Sequence, residues 1–226
     1  MRADLLELLL PPRCGGCRAV GSWLCARCRA RIRRLEEPLC RRCGVEVESA
    51  RAECGCRSRL RSIARLRSAA AYEGPIESAI HRFKYQGWRP LAAPLALLMA
   101  ERLAVEGLAA PFVLGVPLHP VRLRERGFDQ AGLLARDLRR CLALGSPPGQ
   151  LVRTRHTPPQ VGHDRIWRLA NVRAAFEWRG EPLGGSPVLL VDDVATTGAT
   201  LDACACALRA GGSGPVMGIS IARVNV

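Results

Sequence analysis

The stretch VLLVDDVATTGAT, Val188 to Thr200, decides how the rest of the chain is read. Val188 to Val191 are uniformly apolar, as a strand covered on both faces should be. Two carboxylates, Asp192 and Asp193, come next, and after two spacers the chain runs Thr196-Thr197-Gly198-Ala199-Thr200. Ligands of open parallel sheets sit at the carboxyl ends of strands, so the acids are expected to meet the crevice. A helix is expected to begin near Ala199, where free backbone amides and the helix dipole favour a phosphate. Gly198 lets the backbone approach closely, and the threonine hydroxyls add donors. Two acids beside an anion site repel its ligand unless they serve hydroxyls. A ribose 5-phosphate satisfies both halves, with its diol on the acids and its phosphate on the loop. The plainer alternative is a capped helix start and nothing more.

Working outward from this stretch, strands and helices alternate from Arg67 on. The pattern predicts a strand over RSAAAYEG, a helix opened by Pro75 and closed by Gly87, and a second helix over PLAAPLALLMAERLAVEG. That second helix has Leu91, Leu95, Leu98, Met99 and Leu103 on its apolar side. A strand FVLGVPL, a helix FDQAGLLARDLRRCLAL and a strand QLVRT follow, then a short helix around DRIWRLANV. After the strand PVLLVDD come the helix ATLDACACALRAG and a last strand PVMGISIARV. Such alternation predicts an α/β domain with a mainly parallel sheet flanked by helices, over residues 63–226.

The first 62 residues read differently. Eight of the 11 cysteines fall between Cys14 and Cys56, as CGGC, CARC, CRRC and CGC. No export signal is legible, and in a reducing cytosol paired cysteines hold metal more often than disulfides. Two Cys-x-x-Cys knuckles close a tetrahedral thiolate site, so the pairs predict two structural zinc ions. Sequential pairing assigns Cys14, Cys17, Cys25 and Cys28 to one ion, and Cys40, Cys43, Cys54 and Cys56 to the other. An interleaved arrangement and a redox role for one pair stay open. The metals would fold a segment short of large apolar residues, a small zinc-ribbon domain over 1–62. Cys141, Cys204 and Cys206 lie in helical patterns and are expected to be small buried hydrophobes.

The formal charge is +14, and Lys84 is the only lysine. A GC-rich genome accounts for arginine bias but not for its placement, 15 arginines against 5 glutamates between Arg13 and Arg67. Eight thiolates on two zinc ions would lower the total only to about +10. Such a surface draws polyanions by counterion release. The longest early apolar run, LLELLLPP, is too short and too interrupted to span a membrane, and a cytoplasmic protein is expected.

The order of apolar residues, paired acids and Thr-Thr-Gly resembles the phosphoribosyl-pyrophosphate signature of type I phosphoribosyltransferases. VPLHPVRLRERGFDQ, RTRHTPPQ and HRFKYQG extend this to a resemblance, over nearly the whole chain, to the ComF family of competence-associated proteins. That resemblance implies a phosphoribosyltransferase fold behind an N-terminal double zinc ribbon. It implies that Asp192 and Asp193 hold the ribose hydroxyls, and that Ala195, Thr196, Thr197, Gly198, Ala199 and Thr200 wrap the 5-phosphate. Val116, Pro117 and Leu118 would form the pyrophosphate loop, with Arg122, Arg124 and Arg126 after it. Arg153 to Asp164 would close over the substrate. Asp129 departs from the asparagine usual in the family.

Magnesium with phosphoribosyl pyrophosphate, single-stranded DNA and other DNA-processing proteins of competence are the implied partners. The implied reaction is displacement of pyrophosphate from the anomeric carbon by a nitrogen nucleophile. Thr196 stands where purine-base members carry an acid, which argues against guanine or hypoxanthine salvage. His119, His156 and His163 are candidate acid–base groups, while His81 reads as packing or surface. Trp23, Tyr72, Tyr85 and Trp88 are the aromatics available for base stacking. Two other readings compete: a metabolic, amidophosphoribosyltransferase-like enzyme with a zinc appendage, and a non-enzymatic ribose-phosphate sensor. The pocket is expected to lie wholly in the α/β part, so that loss of residues up to Arg65 would spare it.

Overall fold

The computed structural model describes residues 11–49, 52, 54–107, 110–155 and 175–224. Among the described residues, four parallel strands make the main sheet: β1 (Ile63–Ala71), β2 (Phe112–Gly115), β5 (Val188–Ala195) and β6 (Val216–Arg223), in the order β1-β6-β5-β2. The expected architecture, a mainly parallel sheet flanked by helices behind a cysteine-rich segment, is the one the chain adopts. On one face lie α2 (Gly74–Tyr85), α3 (Ala92–Glu106) and α5 (Gln130–Leu142). They bury Ile80, Phe83, Leu95, Met99 and Leu134 against Leu189 and Val191 of β5 and Ile219 and Ile221 of β6. The other face carries α6 (Ala199–Ala210) and an antiparallel pair of β3 (Gly149–Arg153) and β4 (Phe176–Gly180). There Leu201, Cys204, Leu208, Leu151 and Phe176 cover Val188 and Leu190.

Several expectations need correction. The first strand starts at Ile63 rather than Arg67, because Ile63 and Leu66 are buried against the α6 side. QLVRT does not join the parallel sheet; β3 pairs antiparallel with β4, a strand whose pattern was not recognised. The segment after the second strand holds two helices, α4 (Pro120–Arg126) and α5, separated by Gly127 at φ 71°. Cys204 is buried as expected, but Cys206 and Cys141 are exposed. Two residues on a helix turn the side chain by about 200°, so Cys206 leaves the face that Cys204 occupies. The helix around DRIWRLANV lies outside the described residues.

The cysteine-rich segment, with α1 (Ala26–Ala30), is not a detached appendage. Arg67 donates to the carbonyls of Cys40 and Arg41, and Arg223 to that of Cys43 at 2.7 Å, both from buried positions. Arg42 donates back to Leu60 and Ile63. Burial pulls the Arg223 guanidinium below its ordinary pKa, an effect the neighbouring cysteines oppose.

Candidate phosphate and metal sites

The carboxyl end of the sheet assembles the stretch that opened the sequence. Asp192 pairs in register with Ser220 and Ala195 with Arg223, so the acids lie within the pairing, two residues short of the strand end. Adjacent strand residues face opposite ways. Asp193 therefore shares the side of Leu189 and Val191, where Lys84 Nζ of α2 meets its Oδ1 at 2.8 Å. Asp192 shares the side of Val188 and Leu190, and its Oδ1 accepts from the Asp193 amide at 2.8 Å. Neither acid is fully open to solvent: Asp193 is buried and Asp192 half-buried. Burial pushes the Asp192 carboxyl up to about 7, with the Asp193 and Asp129 charges adding and Lys84 opposing.

Beyond Ala195 the chain turns through Thr196 and Thr197 to Gly198, which caps α6 at φ 80°. Only glycine takes that conformation without strain, and a Cβ here would meet Leu66 at 3.0 Å and Leu60 at 3.1 Å. The amino-terminal amides of a 12-residue helix thus open beside the acids. Thr197 Oγ1 accepts from the Ala199 amide at 3.4 Å. On the neighbouring strand the Val116 amide bonds the Val191 carbonyl at 2.8 Å, which sets Val116, Pro117 and Leu118 alongside Asp192. A Cβ on Gly115 would lie 2.5 Å from the Ala131 backbone, so glycine there lets the amino end of α5 close against β2.

Arg122 is half-buried and meets Glu125 at 3.2 Å, and its charge acts on Arg153. Arg153 at the end of β3 interacts electrostatically with Asp192, an approach its sequence position did not reveal. Arg126 lies over the Tyr85 ring and bonds Gln130. His119 caps α4, its Nδ1 accepting from the Val121 amide, which occupies one nitrogen of this candidate acid–base group. Asp129 sits over the start of α5; burial raises its pKa against the lowering effect of the Gly132 and Ala131 amides. His156, His163 and most of the Arg153 to Asp164 segment lie outside the described residues. Lys84 was missed as a site residue, although its uniqueness in the composition was a usable signal.

The cysteines form two clusters in sequential order: Cys14, Cys17, Cys25 and Cys28, and Cys40, Cys43, Cys54 and Cys56, with ligand atoms of each within 4.8 Å. Tetrahedral Zn–S arms of about 2.3 Å imply sulfur–sulfur edges of about 3.8 Å. Cys17–Cys25 at 3.7 Å, Cys40–Cys56 at 3.6 Å and Cys43–Cys54 at 3.5 Å approach that, while Cys40–Cys54 is tighter at 3.0 Å. Burial works against ionisation of Cys14 and Cys40, but knuckle amides outweigh it and bring both to about 6. Burial and neighbouring cysteines push Cys28 and Cys56 well up. A divalent cation would reverse that and hold all four as thiolates. Four thiols and no open position fit structural zinc.

Residues 5–61 match the double zinc ribbon domain family. DNA utilization protein YhgH of Escherichia coli K12 is 33% identical over 219 residues, 92% of this chain and 96% of that protein. Competence protein F of Haemophilus influenzae is 32% identical over 87% of this chain and 90% of its own. Competence protein ComFC of Bacillus subtilis is 28% identical over 88% and 84%. A solved structure of the allosteric regulatory enzyme of purine biosynthesis matches at 18% identity and a TM-score of 0.37. It covers 62% of this chain and 30% of the other, a likeness that carries no argument. Among the described residues no helix is long and apolar enough to cross a membrane.

Proposed function

The chain belongs to the ComF family of competence proteins, and on that premise we propose that it binds phosphoribosyl pyrophosphate and acts on single-stranded DNA during DNA uptake. The observation that carries the small-molecule half is the left-handed turn at Gly198, which opens the amino end of α6 directly after paired acids. In this reading the amides of Thr196 to Thr200 and the threonine hydroxyls hold the 5-phosphate, and Asp192 and Asp193 accept from the ribose hydroxyls. Val116, Pro117 and Leu118 bound the diphosphate, with Arg122 beside them.

The carboxylates of Asp192, Asp193 and Asp129 are oxygen donors of the kind magnesium takes. Magnesium bound with the diphosphate would offset the charge of a departing pyrophosphate. Transferase chemistry, with the anomeric carbon passing to a nitrogen nucleophile, is the activity this site would support. A division at residues 62 and 63 separates the ribbon from the binding region in chain order, though the two share packing.

The DNA half is supported by a cleft of about 550 Å³ beside the second cysteine cluster, lined by Arg41, Arg57 and Arg65, and by Arg42, one of whose nitrogens is held by the Leu60 and Ile63 carbonyls. Other ribbon arginines are committed elsewhere: Arg29 and Arg34 pair with Glu101 and Arg33 with Glu46. Trp23 and Trp88 pack edge to face with ring centroids 6.2 Å apart, which removes two candidates for base stacking. Tyr85 is 63% exposed, with Arg126 over its ring and His81 beside it.

Calorimetry against phosphoribosyl pyrophosphate with magnesium tests the reading, with Asp192→Ala/Asp193→Ala as comparator. We expect binding in the wild type and its loss in a folded double variant; equal affinity would reduce the acids to a helix-start device. Pyrophosphate release on adding ammonia or amine acceptors would mark an enzyme, and binding without release a sensor. Single strands should outcompete heparin at matched charge, with affinity falling by a log–log slope of about −0.7 per phosphate neutralised.

A further inference from the structure

Lys84 is the only lysine among 34 lysine and arginine residues, and it is the basic side chain that pairs with the acid at the centre of the site. It sits next to the last residue of α2, with its side chain 16% exposed and that of Asp193 12% exposed. An arginine-rich composition would fill an ordinary surface position with arginine. A sheltered lysine there indicates a task for which a guanidinium is unsuited. Guanidinium forks grip a carboxylate through two parallel hydrogen bonds and hold it. An ammonium is a point charge with three donors on a flexible stem, and can pass from one acceptor to another.

The surroundings supply a reason for passing. Asp192 on the opposite side of β5 and Asp129 at the start of α5 add their charges to that of Asp193, and the Lys84 ammonium acts on Asp192 as well. Tyr72, at the end of β1, feels both Lys84 and Asp193. A ligand whose hydroxyls share Asp193 would loosen its hold on the ammonium, which a more anionic group brought in by the same ligand could then draw away.

We propose that Lys84 is an exchangeable contact, held by Asp193 before loading and turned to the diphosphate of the ligand once ribose hydroxyls occupy that acid. The inference rests on the ribose-phosphate reading above. It makes Lys84 the residue that distinguishes a ribose carrying a diphosphate from one carrying only its 5-phosphate, because Thr196 to Thr200 and the acids serve both alike.

The test is calorimetry of the full zinc-loaded chain against phosphoribosyl pyrophosphate and against ribose 5-phosphate, each with magnesium. Lys84→Met should weaken phosphoribosyl pyrophosphate by roughly tenfold or more and ribose 5-phosphate by less than about threefold. Lys84→Arg keeps the charge and the pairing with Asp193, so it guards against misfolding in the methionine variant. It should hold Asp193 too firmly and weaken both ligands. Equal losses for the two ligands in Lys84→Met would overturn the inference, leaving Lys84 as a support for Asp193. Wild-type affinity in Lys84→Arg would overturn it too, since exchange would then be unnecessary. A wild type that binds ribose 5-phosphate and phosphoribosyl pyrophosphate equally would sink the diphosphate contact alone. One that binds neither would sink the ribose-phosphate reading and this inference together.

Discussion

The two cysteine clusters have the same ligand chemistry but different seats. The first rests on the helical layer. Gly15 lies against Leu91 and Ala79, Arg82 donates to the Gly15 and Gly16 carbonyls, and Trp23 meets Trp88. The second rests on the sheet and on the turn that leads into α6. Leu60 and Leu66 pack against Gly198, and the buried Asp202 of α6 accepts from the amides of Ser62 at 2.8 Å and Ile63 at 3.0 Å. Arg223, which binds Cys43, is the register partner of Ala195. What a structural metal would do for a distant site depends on what its knuckles hold, and among the described residues it is the second cluster's segment that packs against the turn at Gly198. Loss of residues up to Arg65, expected to spare the pocket, would also remove the contacts of Leu60 with Gly198 and of Ser62 and Ile63 with Asp202.

The comparison is broken or upheld most directly by removing the clusters one at a time. Cys43→Ser with Cys56→Ser should release one metal and lower ribose-phosphate affinity at least tenfold, since a structural zinc supplies folding free energy of about 10–16 kcal/mol. Cys17→Ser, at the exposed corner of the first cluster, should change that affinity by less than about threefold. Metal analysis and calorimetry read both; equal losses would erase the distinction.

Asp202→Ala leaves two amides without their carboxylate and should cost about 2–4 kcal/mol in denaturant unfolding, with weaker ligand binding. Its counterpart on the first cluster, Arg82→Ala, should cost about 1–2 kcal/mol and leave the affinity unchanged. Gly198→Ala tests the turn itself. A positive φ with Leu66 at 3.0 Å predicts about 1–2 kcal/mol of destabilisation and a parallel loss of affinity.

The last effect is a slope. Asp192 is raised to about 7 by burial and by Asp193, so the folded chain keeps a proton that the unfolded chain has released from about pH 4 upward. Stability should therefore fall as pH rises through that window and level off above about 7. Asp192→Asn should flatten this dependence in denaturant midpoints measured across pH; an unchanged slope would assign it to another group.

Much was legible in the sequence because it was encoded locally. The apolar run Val188 to Val191, the acids, the glycine at the head of α6 and the four cysteine pairs each specify their own backbone over a few residues. Periodicity likewise marked the buried side of α3 through Leu95, Leu98, Met99 and Leu103. Period-two patterning even contains the opposite facing of Asp192 and Asp193, once the strand is known to run through to Ala195. Only tertiary structure could decide the rest. Asp202 and Ser62 are 140 residues apart, and nothing near either one announces the other. The pairing of Lys84 with Asp193, the antiparallel β3–β4 pair and the seating of the second cluster are likewise set by which surfaces dock. A local pattern dictates torsion angles and which side is apolar. Which buried charge meets which partner is decided only when packed elements exclude water and leave each polar group few partners within reach.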